Sequence, residues 1–226
     1  MGHIFVRYEE TNGTSWAPDL ETNGGPLEAF VRAFKVGSPR TLTRLRSPHP
    51  TRAPSQARRE DLGGPVKVTA FEPFHTRGSR LGDHRCDAIL FPSGTHLSDV
   101  DRGDPAALVD SFLSTQAQQQ DGTVRLPGLQ LFVCTHASRD RRCSDIGEPL
   151  LARLDTVARQ TGLYASGALG GLYRCSHVGG HVYAGNLLAF RSGGLQEVGC
   201  SAAEWALRPH DQLVPISAAH CSGLVG

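Results

Sequence analysis

LQLFVCTHASRDRRCSDIGEPLLARLDTVARQTG, residues Leu129 to Gly162, changes its hydrophobic period in mid-course. Its first part, LQLFVCT from Leu129 to Thr135, is a short apolar run of strand length that delivers Cys134 to its end. After Cys143 the period becomes helical: Leu150, Leu151, Leu154, Val157 and Ala158 fall on one stripe. Asp145 with Glu148 three residues later predicts the helix start, and Gly162 its stop. Strand, cysteine loop, helix is the opening of an α/β unit, and chemistry in such sheets gathers outside the carboxyl ends of the strands.

Downstream, a short strand over Leu172–Cys175 leads into RCSHVGGHVYAGN, Arg174 to Asn186, and NLLAF, Asn186 to Phe190, predicts the next strand. His177 and His181 stand four apart, a spacing that would share one face of a helix. Gly179 and Gly180 between them argue for a loop, because each glycine costs a helix about 1 kcal/mol relative to alanine. Upstream, VKVTAFEPF from Val66 and CDAILFP from Cys86 predict strands, and PAALVDSFLSTQAQQQ from Pro105 a helix with Leu108, Phe112 and Leu113 on one side. The plan is a compact α/β fold with the cysteine loop and the histidine loop at the same end of a sheet.

Residues 1–62 are rich in Pro, Gly, Ser and Arg without a sustained hydrophobic period, which predicts a disordered basic segment. Val31 to Arg59 carries Arg and Lys but no acid. A solvated linker is the plain expectation for it, and RNA binding or organelle import the sharper one, although Glu9, Glu10, Asp19 and Glu21 ahead of it do not suit an import signal. At 226 residues the chain makes one large domain or two small ones. A net charge of +1 gives no global bias toward nucleic acid or anionic membranes, so neither partner is expected. No apolar run approaches the roughly 20 residues that span a bilayer, which predicts a soluble intracellular protein, in the cytoplasm rather than the mitochondrion. In such a compartment the irregular spacing of Cys86, Cys134, Cys143, Cys175, Cys200 and Cys221 points to metal ligation or redox chemistry rather than a disulfide framework.

Cys134 and Cys143 form C-x8-C, and His177 with His181 forms H-x3-H. Two thiolates and two imidazoles suit tetrahedral zinc, but cysteines of zinc knuckles usually lie two to four residues apart. A [2Fe–2S] cluster spans more space and takes two ligands per iron, two of them histidines in Rieske centres. Gly179 and Gly180 would let backbone approach such a centre, and Asn186 would clamp the histidine loop through its amide. Cys175 is either a core cysteine or a substitute ligand, and His136 either faces solvent, caps, or hydrogen-bonds near the centre. Arg139, Arg141 and Arg142 either stabilise added negative charge, dock a partner, or form a solvated loop face.

LFVCTHASRDRRCSDIGEPLLARL followed by YRCSHVGGHVYAGNLLAF resembles the sucrase/ferredoxin-like family, over about Gln130 to Phe190. The resemblance implies thioredoxin-like ferredoxins with bis-histidinyl [2Fe–2S] ligation: Cys134 and Cys143 on one iron, His177 and His181 on the other. It implies a partial thioredoxin-like segment over 63–122 and the cluster domain over 123–226. A role in redox homeostasis follows, as an electron carrier or redox sensor served by a redox partner protein, with no catalytic residue assigned. A thioredoxin-like thiol–disulfide oxidoreductase and a zinc-stabilised interaction module are the alternatives. The family's W-Y-G-R-V strand has only EWALRP, Glu204 to Pro209, in its place, so a divergent C-terminus is expected.

Overall fold

The computed structural model describes residues 2–8, 16–22, 24–35, 65–75, 84–117, 124–179 and 185–191. These form a mixed α/β structure of eight strands and three helices. The chain divides into two compact units. One comprises Met1–Arg7, Asp19–Ala70 and Ser79–Arg125, the other Tyr8–Pro18, Phe71–Gly78 and Leu126–Gly226.

The first unit holds strands β1 (Gly2–Arg7), most of β2 (Val66–Pro73), β3 (Arg85–Phe91), β4 (Thr95–Asp101) and β5 (Val124–Arg125), with helices α1 (Glu28–Lys35) and α2 (Pro105–Ala117). The strand order is β5-β4-β3-β1-β2. Every residue of β1 is buried, and it pairs antiparallel with β3, Phe5 opposite Ile89. Phe34 of α1 meets Phe112 of α2 edge to face at 5.7 Å. His3 stacks on Phe5 and bonds Thr69 Oγ1 at 2.9 Å; burial lowers its pKa to about 3, so it sits neutral in the core.

Disorder across residues 1–62 therefore does not hold for 2–8, 16–22 and 24–35. GHIFVR shows no alternation because both its faces are covered, and its partner β3 is supplied from far along the chain. The start of the acid-free stretch, Val31 to Phe34, lies inside α1, where Phe30 and Phe34 are buried. The rest of it lies outside the described residues.

The second unit is built on β6 (Leu129–Cys134), α3 (Arg141–Gln160), β7 (Leu169–Cys175) and β8 (Leu187–Arg191). The order β2-β7-β6-β8 begins with the end of β2, where Phe71 pairs with Cys175. Strands β6 and β7 are parallel, as a crossover through α3 requires, and β8 runs antiparallel to β6. Leu131 and Val133 of β6 join Leu151 and Ala158 of α3, Leu169, Leu172 and Leu187 in one core. The alternate positions carry Phe132, which stacks on Tyr173 at 4.5 Å, and Gln130, whose Oε1 accepts from the Tyr173 hydroxyl.

The helix begins five residues earlier than the Asp145 signal predicts. Asp140 is the cap, its carboxylate accepting from Arg142 N at 3.0 Å. Cys143 consequently lies in the first turn of α3 instead of ahead of it. At the other end Gly162 takes the left-handed conformation at φ 70°, as a helix stop demands. Among the described residues no helix is long and apolar enough to cross a membrane. Residues 192–226, with Glu204–Pro209, Cys200 and Cys221, lie outside the described residues.

Candidate metal centre

Two parallel strands and one helix start bring the sulfurs together. β6 ends on Cys134 and β7 on Cys175, which are register partners, so both thiols leave the sheet at its carboxyl edge. The loop 135–140 turns back, and Cys143 N bonds Asp140 O at 2.9 Å, which seats Cys143 over the end of β6. His177 follows β7 by two residues. Ligand atoms of Cys134, Cys143 and His177 all lie within 4.8 Å of one another. Both cysteines are buried and His177 is half-buried.

The two thiols divide one proton unequally. Cys143 is lowered to about 7 by a hydrogen bond from the Cys134 thiol, and the Gly185 N–H also donates to its sulfur. Cys134 is raised well above the ordinary range because it holds the proton it gives to Cys143 and because it is buried. Position at the first turn of a helix favours the Cys143 thiolate further. The pair therefore presents one thiolate and one thiol near neutral pH, a donor set that needs little deprotonation to take a thiophilic metal.

Gly179 has φ 87°, a left-handed conformation that turns the chain after His177, and its carbonyl accepts from Asn186 Nδ2 at 2.6 Å. Asn186 thus ties the two ends of the histidine loop. Gly180 and His181 lie outside the described residues, so the fourth candidate ligand has no described position. Among the described residues no disulfide forms.

His136 is fully buried, not solvent-facing. Its ring bonds Ala17 O at 3.1 Å, its centroid is 6.1 Å from that of His177, and its backbone N–H donates to the Cys134 sulfur. The arginines between the cysteines divide. Arg142 pairs with its neighbour Asp140 at 2.7 Å, Arg141 is largely solvated beside Asp145, and Arg139 Nε donates to Pro18 O at 2.9 Å. Of the three, Arg142 acts on Cys143: its guanidinium lowers the pKa of that thiol while the Asp140 carboxylate it pairs with raises it. The sequence carried no signal for Trp16, whose indole N–H donates to Thr135 Oγ1 at 3.1 Å from the other end of the chain.

A family model described as sucrase/ferredoxin-like matches residues 2–214, well beyond the stretch that carries the sequence resemblance. The chain is similar to a protein of Meyerozyma guilliermondii named Altered inheritance of mitochondria protein 32, at 36% identity over 77 residues, 34% of this chain and 25% of that protein. It is also similar to the protein of the same name from Candida glabrata, at 36% over 61 residues, 27% of this chain and 18% of that protein. The chain thus spans a quarter or less of the length of the curated relatives it matches. No solved structure matches it.

Proposed function

This chain belongs to the sucrase/ferredoxin-like family, and from that premise we propose that it holds a [2Fe–2S] cluster and acts as an electron carrier or redox sensor in redox homeostasis. The observation that carries a metal centre here is the convergence of Cys134, Cys143 and His177 to within 4.8 Å at the carboxyl ends of β6 and β7, and membership of a ferredoxin-like family is what favours a cluster at it. Cys134 and Cys143 supply the thiolates, His177 one imidazole and His181 the other. The cluster supplies one-electron transfer, with a potential of about −150 to +300 mV where two histidines replace two thiolates. The chain's part is to bury the thiolates, to donate N–H groups of His136 and Gly185 to the sulfurs, and to hold the imidazole through the Asn186 tie. N–H donors at sulfur disperse negative charge and ease electron uptake. The electron passes to and from a redox partner protein.

Zinc is the second candidate, and the tightness of the trio favours it. Tetrahedral bond lengths set ligand atoms about 3.3–3.8 Å apart, within the observed spread, whereas a two-iron core parts its ligand pairs further. Protein purified without oxygen and assayed for iron, sulfide and zinc decides between them. Two irons and two sulfides with a red-brown colour support the cluster. One zinc in colourless protein makes the centre a structural module, and absence of both metals sinks each assignment. The proposed compartment is the cytoplasm. The relatives' name refers to mitochondria, so fractionation of the tagged chain has two distinguishable outcomes.

A further inference from the structure

Trp16, Ala17 and Pro18 cross the loop that joins the two candidate cysteines, and the Trp16 indole N–H and all three of their backbone carbonyls bond to it. The Trp16 indole N–H donates to Thr135 Oγ1 at 3.1 Å, and the Ser138 hydroxyl donates to Trp16 O. His136 Nε2 bonds Ala17 O at 3.1 Å, and Arg139 Nε donates to Pro18 O at 2.9 Å. Four of the residues between Cys134 and Cys143 are thus fixed by three consecutive residues of the N-terminal segment. Trp16 itself is only 5% exposed although its neighbours Pro18 and Asp19 face solvent.

We propose that Trp16–Pro18 is a positioning strap: it holds the Cys134–Cys143 loop in its binding conformation and closes both sulfurs to solvent. The route is short. A carbonyl acceptor at Ala17 requires the proton on His136 Nε2, which fixes the tautomer and the ring. A fixed His136 ring keeps its own backbone N–H on the Cys134 sulfur. An N–H donor held at a ligand sulfur is the outer contact that orients a ligand and sets the properties of its metal. The 4.8 Å grouping of Cys134, Cys143 and His177 therefore depends on residues far away in sequence. The metal-tuning part rests on the function proposed above; the closure of the sulfurs does not.

The test is site-resolved alkylation of the metal-free full chain by iodoacetamide, followed by mass spectrometry, alongside metal analysis of the same proteins as purified. Trp16→Ala and Ser138→Ala are expected to raise the labelling rate of Cys134 and Cys143 about fivefold, the factor that one lost hydrogen bond of ordinary strength gives. Trp16→Phe, which keeps a ring but no N–H, falls between, and Ser138→Thr, which keeps the hydroxyl, restores protection. Cys175 in β7 and Cys86 in β3 stay slow in every variant. Unchanged rates at Cys134 and Cys143 overturn the strap, and so does a parallel rise at all four cysteines, which marks general loosening. If Trp16→Ala does not fold, Trp16→Phe and Ser138→Ala decide the matter. Wild-type protein without metal removes the cluster and zinc assignments while leaving the labelling comparison intact.

Discussion

Gly147 of α3 lies against the last residue of β6: a β-carbon there would stand 2.4 Å from the Cys134 carbonyl oxygen. The helix start that carries Cys143 reaches the strand end that carries Cys134 only because this position has no side chain. Gly147→Ala gains about 1 kcal/mol of helix propensity but must push α3 away from β6, at about 1–3 kcal/mol. The expected result is a net loss of about 1 kcal/mol in urea unfolding together with a lower metal content. A variant as stable and as metal-rich as the wild type would show that the close approach is dispensable.

His177→Cys returns a negative charge to the centre. If His177 is a ligand of a two-iron cluster, the variant keeps its colour and its potential falls by on the order of 100 mV, toward the about −400 mV of four-thiolate ferredoxins. Potentiometric titration reads this directly. A potential equal to that of the wild type removes His177 from the ligand set.

In metal-free protein the first proton of the cysteine pair leaves near pH 7, because the Cys134 thiol bonds the Cys143 thiolate, and the second leaves well above the ordinary 9.0. Alkylation of Cys143 is expected to rise through a midpoint of about 7. The stability contribution has a definite sign. Between about 7 and 9.0 the unfolded chain binds more protons than the folded one, so stability increases with pH over that window and is lost as pH falls through 7. Above 9.0 the proton retained by Cys134 reverses the slope. A thermal-shift series from pH 6 to 10 on apoprotein checks it, and a flat profile would contradict the shared proton.

Arg174, next to Cys175, bonds both carboxylate oxygens of Glu148 at 2.8 and 3.0 Å and lies over the Phe74 ring at 4.7 Å. The Arg174 side chain is 7% exposed and Glu148 29%. Glu148→Gln leaves the guanidinium buried without its counter-charge, a loss that reaches about 3–5 kcal/mol for fully buried pairs and about 2 kcal/mol here because Glu148 is partly solvated. Urea denaturation measures it. Because the pair ties α3 to β7, a lower metal content should accompany the loss.

The α/β class, strands β2, β3 and β6, helix α2 and most of α3 were legible in the sequence, because each carries its own hydrophobic period or capping residues. The same reading placed Cys134, Cys143 and His177 together at the carboxyl edge of a sheet, where the structure has them, while His181, its fourth residue, lies outside the described residues. The first turn of α3 was misread because Asp145 offers a second, equally plausible cap, and only the bond from Arg142 N to Asp140 selects the first. Strand β1 and helix α1 were hidden in a stretch whose overall composition looks disordered.

What the sequence by itself determined is what depends on neighbours along the chain: which segments are strands or helices, and which residues have the chemistry to hold a metal. Only the tertiary structure decided that GHIFVR is buried on both faces, that His136 is interior, and that Trp16–Pro18 spans the cysteine loop. Those facts come from contacts between residues more than a hundred positions apart in the case of Trp16 and Thr135. A contact of that kind leaves no period in the local sequence, because its energy is realised only after the intervening chain has folded.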